Sequence, residues 1–354
     1  MLAGLCYLHG HAGRRRMNML VADIGGTQSR FFMFSCEDKE ISIKEGTTLS
    51  SVHTSFEGLL EEVLTTWPEG GAPLDSVSLL VFAAAGPVRD GRIFMTNASF
   101  TVDPSVAGRF FPKARCLVMN DFEAQAWACL TPVMRGAVSV LPGRFASVSA
   151  PEGDFSMLSG LARDTSPVVV TGAGTGLGAA WLVPGQNAGA APFVLASEAG
   201  HMAFPFEGRE EQDFAAFLAD RRGVEPVTAE HVLSGSGLAL LYEFCTGQRR
   251  DPADFTRDPD FAFSPCCGLF ARFYGRFCRM TALALLPQAL VVTGGVAGRT
   301  QALVRHAGFA HEFFRAVGSQ KAFLQELPVW LNAHPQAGLW GAARAGSVRL
   351  QDLS

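Results

Sequence analysis

The stretch MLVADIGGTQSRFFMFS, residues 19–35, decides the fold class. Met19 to Ile24 is a short apolar run, Gly25-Gly26-Thr27 a tight turn, and Ser29 to Ser35 a second run rich in phenylalanine. An apolar run, a glycine turn and a returning run make a β-hairpin. The same pattern recurs at PVVVTGAGTGLGAAWLV, residues 167–183. There Pro167 to Thr171 is the strand, Gly172 to Gly176 the turn and Leu177 to Val183 the return, so one such hairpin opens each half of the chain. The echo points to internal duplication.

Between the hairpins, Phe56, Leu59, Leu60, Val63, Leu64 and Trp67 fall at the spacing of a helix with one buried face. Val77 to Ala85 is a buried strand ended by Gly86-Pro87. Asp103-Pro104 is a helix N-cap followed by proline at the first helical position. Cys116 to Met119 is another strand, which leaves Asn120-Asp121 at a strand's carboxyl end, ahead of a helix over Glu123 to Leu130. Ligands of α/β sheets bind at that edge. The second half carries helical periodicity around Asp213 to Arg222, Ala229 to Cys245 and Leu269 to Leu286. A last apolar strand, Leu290 to Thr293, then runs into Gly294-Gly295. A chain of 354 residues exceeds one ordinary core, and with no low-complexity linker two domains sharing a tight hinge are expected.

Composition excludes several classes. With 48% hydrophobic and 18% charged residues the chain has ample apolar side chain to fold. Twenty-nine basic against 33 acidic residues give a net charge of -4, which offers no extended attraction to a phosphate backbone, so no nucleic-acid partner is expected. The eight cysteines contain no C-x-x-C pair and sit mostly in apolar runs, as small buried hydrophobes in a reducing, cytoplasmic compartment. The uncharged stretches Thr165 to Ser197 and Met280 to Gly298 are broken by glycines and prolines and fail as membrane spans. Met1 to Arg16 places Arg14-Arg15-Arg16 after its apolar stretch, the reverse of a signal peptide. It is set aside as an extension, either disordered or a start-site artefact, with Met17 or Met19 as the alternative start.

Three strand-ending glycine turns, Asp23 to Thr27, Gly172 to Gly176 and Gly294-Gly295, bring backbone N–H groups close enough for an anion, because no side chain stands in the way. Any one alone reads as a hairpin turn; three with Asp or Thr alongside favour phosphate. The four lysines, Lys39, Lys44, Lys113 and Lys321, all lie away from these turns, which excludes a Walker loop or a protein-kinase lysine. Gly174-x-Gly176-x-x-Ala179 with Glu198 downstream fits a dinucleotide fingerprint, but Pro184-Gly185 arrives too soon for the helix that must receive the pyrophosphate. Among polar residues, Asp121 is either a general base or a helix cap. Glu198 and His201 form an E-x-x-H pair in a loop context, which suits hydroxyl recognition better than metal ligation. Glu230 and Asn97 read equally well as helix surface and turn residue.

Taken in order, eight blocks resemble the bacterial glucokinase family of the hexokinase and actin-type sugar kinases. They are LVADIGGTQSR (20–30), MTN within GRIFMTNASF (91–100), LVMNDFEAQA (117–126), TGAGTGLGAAWLV (171–183), SEAGHMAF (197–204), AEHVLSGSGL (229–238), VVTGG (291–295) and AGLWGAA (337–343). The resemblance implies two RNase-H-like (actin-like ATPase) α/β domains with a ligand cleft between them. The implied division is a small domain of residues 17–120 plus 336–354 and a large domain of residues 121–335. By the same resemblance Asp23, Gly25, Gly26 and Thr27 form the first phosphate loop, with Asp23 reaching Mg²⁺ through water. Gly172, Gly174, Thr175 and Gly176 form the second, and Gly294 and Gly295 lie against the adenosine. Asn120, Asp121, Glu198, His201 and Glu230 form the sugar shell, with Asp121 the base. The implied reaction is transfer from ATP to the 6-hydroxyl of glucose or a similar hexose, and a homodimer is implied as well. The alternative is a catalytically weak hexose sensor or regulatory relative. Departures from the family pattern are Gln28, Ala199 and Ser236, and above all Arg279-Met280, bulky residues expected to reshape the adenosine pocket.

Overall fold

The computed structural model describes residues 17–25, 28–37, 40–50, 53–96, 98–141, 143, 166–185 and 190–349. The extension 1–16, Gly26, Thr27 and Asn97 lie outside the described residues. The first half contributes β1 (Met17–Ile24), β2 (Ser29–Glu37), β3 (Glu40–Leu49), β4 (Val77–Ala84), β5 (Val88–Arg89), β6 (Arg92–Phe94), β7 (Thr101–Val102) and β8 (Arg115–Asn120). With them come α1 (Phe56–Thr66), α2 (Pro104–Phe110) and α3 (Asp121–Ala128). The remaining strands are β9 (Val138–Leu141), β10 (Val168–Ala173), β11 (Leu177–Val183), β12 (Phe193–Ser197), β13 (Ala289–Thr293) and β14 (Val329–Leu331). The remaining helices are α4 (Gly208–Arg222), α5 (Ala229–Val232), α6 (Gly235–Thr246), α7 (Pro252–Phe255), α8 (Pro265–Leu285), α9 (Gly295–Arg299), α10 (Ala302–Arg305), α11 (Ala307–Phe313), α12 (Gly318–Glu326) and α13 (Ala337–Arg349).

The duplication read from the two hairpins is a duplication of topology. One sheet has the order β3-β2-β1-β4-β8 and the other β12-β11-β10-β13-β14-β9. In each, the opening strand pairs antiparallel with its hairpin partner and parallel with the next long strand, β1 with β4 and β10 with β13. The parallel strands are apolar throughout because both faces are covered: Leu79 to Ala84 and Ala289 to Thr293 are buried residue after residue.

Helix α3 joins the sheets, and α13 packs on it. Ala124 and Trp127 of α3 pack into the core of the first sheet, while Ala126 and Cys129 pack beneath the second with Val168 and Val170. The C-terminal α13 returns to the first sheet, where Leu339, Ala342 and Ala345 meet Met19, Val21 and Val81. Gly341 sets the spacing of the two helices: a Cβ there would lie 1.8 Å from the Ala124 carbonyl oxygen.

Several expectations are corrected. In α1 Phe56, Leu59, Leu60 and Val63 are buried, but Leu64 is 40% exposed and Trp67 has left the helix for extended backbone. The single helix expected over Ala229 to Cys245 is two, because Leu233 leaves helical geometry and the Ser234 hydroxyl accepts from the Gly237 N–H to start α6 afresh. Leu290 to Thr293 is not the last strand, since β14 pairs beside it. Cys245 is exposed, unlike Cys36, Cys129, Cys266, Cys267 and Cys278. No helix among the described residues is long and apolar enough to cross a membrane.

Candidate active site

Strand ends from both sheets converge on one cleft. β8 ends at Asn120, whose side-chain oxygen accepts from the Phe122 N–H at 2.8 Å and whose Nδ2 donates to the Gly86 carbonyl at 3.1 Å. The capping role considered for Asp121 therefore belongs to Asn120. That leaves Asp121 at the first helical position, where one carboxylate oxygen accepts from the same Phe122 N–H at 3.0 Å. Burial pushes the Asp121 carboxyl up to about 7, reinforced by the charges of Asp23 and Glu198 and opposed by the backbone hydrogen bonds. Asp23, at the end of β1, is raised by burial, with the Arg30 guanidinium 3.9 Å away acting against it.

A second line of polar groups comes from the other sheet. β12 runs into a 3₁₀ turn, Ala199–His201, that brings Glu198 Oε2 within 3.1 Å of His201 Nδ1. His201 Nε2 lies 4.0 Å from Glu230 Oε1. The other oxygen of Glu230 accepts from the Leu177 N–H at 2.9 Å, so this residue of α5 is tied to the second glycine turn. Asp121, Glu198, His201 and Glu230 thus form one neighbourhood, with Asp23 beside it.

The glycine turns differ in what their missing side chains permit. A Cβ on Gly172 would meet the Thr293 carbonyl oxygen at 2.1 Å, and one on Gly294, whose φ is +89°, the Ala173 carbonyl oxygen at 2.5 Å. These two glycines let the second turn and the β13 turn touch. Gly174 faces open space, with nothing within 4 Å of an added Cβ. Its turn is closed by Gly174 N–H to the Gly176 carbonyl at 2.8 Å, and Gly235 at the head of α6 donates to the Gly174 carbonyl at 2.9 Å. Gly25 closes the first turn by donating to the Gln28 carbonyl at 3.0 Å. Gly295 lies beside the Arg299 guanidinium.

Four residues that depart from the family pattern have structural partners. The Gln28 carboxamide oxygen accepts from Arg30 at 2.7 Å, and Arg30 also donates to the Pro335 carbonyl. Ala199 is buried, and its N–H donates to the Ser197 hydroxyl at 3.0 Å. Arg279 donates to the carbonyls of Glu312 and Arg315 at the end of α11, so its side chain is engaged there and not at Gly294-Gly295. Ser236 accepts from Arg222 at 2.7 Å.

Gln125 and Tyr274 escaped sequence reading. Gln125 stands four residues after Asp121, on the same helix face, and accepts from the Thr293 hydroxyl at 3.2 Å. That spacing was the available signal. Tyr274, accepting from the Ala173 N–H at 3.1 Å across 101 residues, had none.

The two sheets of repeated topology, with their strand ends facing one another, have the two-domain actin-like ATPase fold. The family model described as Glucokinase matches residues 20–348, and the chain belongs to that family. It is 29% identical over 346 residues to the glucokinase of Photorhabdus laumondii, covering 95% of this chain and 98% of that one. The structure of a glucokinase from an Antarctic psychrotroph superposes with a TM-score of 0.69 at 26% identity, over 93% of this chain and 98% of the other. A glucokinase from Balamuthia mandrillaris, solved in complex with glucose, superposes with a TM-score of 0.70 at 17% identity, covering 96% and 95%.

Proposed function

We propose that the chain transfers the terminal phosphoryl group of ATP to the 6-hydroxyl of glucose, with Asp121 as general base. The observation that carries this is the Asp121 carboxylate at the head of α3, between the sheets and near the Glu198, His201 and Glu230 line. A carboxyl raised to about 7 has the proton affinity that a base working near neutral pH needs. The glucose named with the Balamuthia mandrillaris structure supports the choice of hexose.

In this reading Asn120, Glu198, His201 and Glu230 hold the sugar hydroxyls, each of which donates and accepts and so is best fixed by carboxylates, an amide and an imidazole. Asp121 takes the 6-hydroxyl proton as the oxygen attacks phosphorus in line. Asp23, Gly25, Gly26 and Thr27 form the first phosphate turn, Gly172, Gly174, Thr175 and Gly176 the second, and Gly294 and Gly295 flank the adenosine. The open space at Gly174 is what a phosphate against backbone amides requires. Magnesium fits the donor set, because it keeps most of its waters and takes phosphate oxygens with one or two carboxylates, here Asp23 through water. When bound, it neutralises charge on the transferred group. Closure of the two sheets, hinged at α3, excludes water that would otherwise accept the phosphoryl group. The small domain is residues 17–120 plus 336–354 and the large domain residues 121–335.

Phosphorus NMR of the product formed from glucose and Mg-ATP tests the reading. A single ester on the 6-oxygen is expected; an ester on the anomeric oxygen, or none, overturns it.

A further inference from the structure

Arg222 stands at the C-terminal end of α4, where Gly223 turns the chain with φ +64°. Its neighbour Arg221 points to Glu243 at 2.8 Å and lies over the Phe217 ring, an ordinary surface arrangement. Arg222 instead turns to α6 and lies near Glu230 of α5. One terminal nitrogen donates to the Ser236 hydroxyl at 2.7 Å, while its Nε is buried without a hydrogen-bond partner. The Glu230 carboxylate is the charged neighbour that offsets the burial of the guanidinium.

Both Ser236 and Glu230 lead to the second glycine turn. The Ser236 hydroxyl is 3.2 Å from that of Ser234, which accepts from the Gly237 N–H at 3.1 Å and so fixes the start of α6. Gly235, between them, donates to the Gly174 carbonyl. Glu230 accepts from the Leu177 N–H, on the far side of the same turn, and faces His201. The turn is therefore held at Gly174 by the cap that Arg222 braces through Ser236, and at Leu177 by Glu230, whose charge lies in the field of the same guanidinium. The guanidinium orients the cap, because rotation of the Ser236 hydroxyl gives up a charge-assisted hydrogen bond, and its charge favours the ionised form of the nearby Glu230.

We infer that Arg222 is a positioning residue for phosphoryl transfer: it fixes the Ser234 to Ser236 cap on which the Gly172 to Gly176 turn rests, and its charge favours the ionised Glu230 carboxylate beside that turn. This rests on the proposed reading of Glu230 and of that turn. Ser236 belongs to the same device, so a residue that departs from the family pattern acquires a partner from α4.

The test is steady-state kinetics of the full chain with glucose and Mg-ATP for Arg222→Ala, Arg222→Lys, Ser236→Ala and Glu230→Gln, each with its melting temperature. Arg222→Ala is expected to raise the glucose KM and lower kcat, each about tenfold, the scale of one lost hydrogen bond to a charged group. Arg222→Lys keeps the charge beside Glu230 and is expected to recover most of the glucose KM. Ser236→Ala loses only the link from Arg222 to the Ser234 cap and is expected to raise the ATP KM with the glucose KM unchanged. Constants for Arg222→Ala within about twofold of wild type, or a fall in melting temperature alone, overturn the inference. Glu230→Gln separates the two levels. A normal glucose KM in that variant means the site reading itself has failed, whereas a raised KM there beside a normal Arg222→Ala means that only Arg222 has been misassigned.

Discussion

Asp121 is held in an environment that resists its charge, and two measurable consequences follow from the sign of that resistance. As a base it must be ionised, so kcat/KM is expected to fall about tenfold per pH unit below about 7. Glu198→Gln removes one of the charges raising it, and the acid limb should move to lower pH; an unmoved limb would assign the titration to another group. The second consequence concerns stability. A carboxyl raised in the folded state favours folding while protonated and loses that benefit as pH rises from its ordinary 3.8 through about 7. Asp121→Asn is therefore expected to lose about 10²- to 10⁴-fold in kcat yet to melt higher than wild type at pH 8, with the gain vanishing near pH 4. Equal melting at both pH values would mean that the carboxyl is not strained by burial. Asp121 and Glu230 were legible as polar residues in motifs, but their partners were not. That Asn120, not Asp121, caps α3 depends on one side-chain rotation, and Arg222 reaches Ser236 only because α4 and α6 are packed side by side.

Among the elements, the glycine turns separate fold from function within a few residues. Gly172→Ala and Gly294→Ala force a methyl into a backbone carbonyl and should destabilise by about 1–3 kcal/mol or more. Gly174→Ala meets nothing, so it should melt like wild type while its ATP KM rises, because the methyl stands where the phosphate reading puts an anion. An unchanged ATP KM would remove the second turn from the nucleotide site. Helix α8 shows a different economy: Arg276 is fully buried and donates to Glu211 at 2.5 and 2.9 Å and to Glu312 at 3.2 Å, joining α4, α8 and α11. Arg276→Ala takes the fully buried partner from Glu211 and Glu312, leaving them only the more exposed Arg272, Arg279 and Arg315, and should cost about 3–5 kcal/mol in urea unfolding; a loss below about 1 kcal/mol would contradict a paired, desolvated cluster. The hairpins, α2 with its Asp103 cap and the helix at Asp121 were readable because local signals fix them. The break between α5 and α6 was not, since the restart at Ser234 serves a contact with Gly174 some 60 residues earlier. β9 and β14 are short strands at one side of their sheet and carry too little pattern to be seen.

At the scale of the whole molecule, one topology is used twice and the two copies meet through α3, with α13 packed on it. That arrangement puts the strand ends carrying Asp23, Asn120, Gly172 and Gly294 around one cleft, and it makes α3 both a helix packed against each sheet and the carrier of the proposed base. Membership of the glucokinase family is established over residues 20–348, while the hexose, the donor and the role of each side chain are proposed here. The most direct measurement is ADP release with Mg-ATP across a panel of hexoses, on wild type and Asp121→Ala side by side. Glucose-dependent release that falls by about 10² or more in the variant is the expected result. Wild type that releases no ADP with any hexose, yet is thermally stabilised by one of them, would contradict the kinase mechanism and leave a hexose sensor in its place.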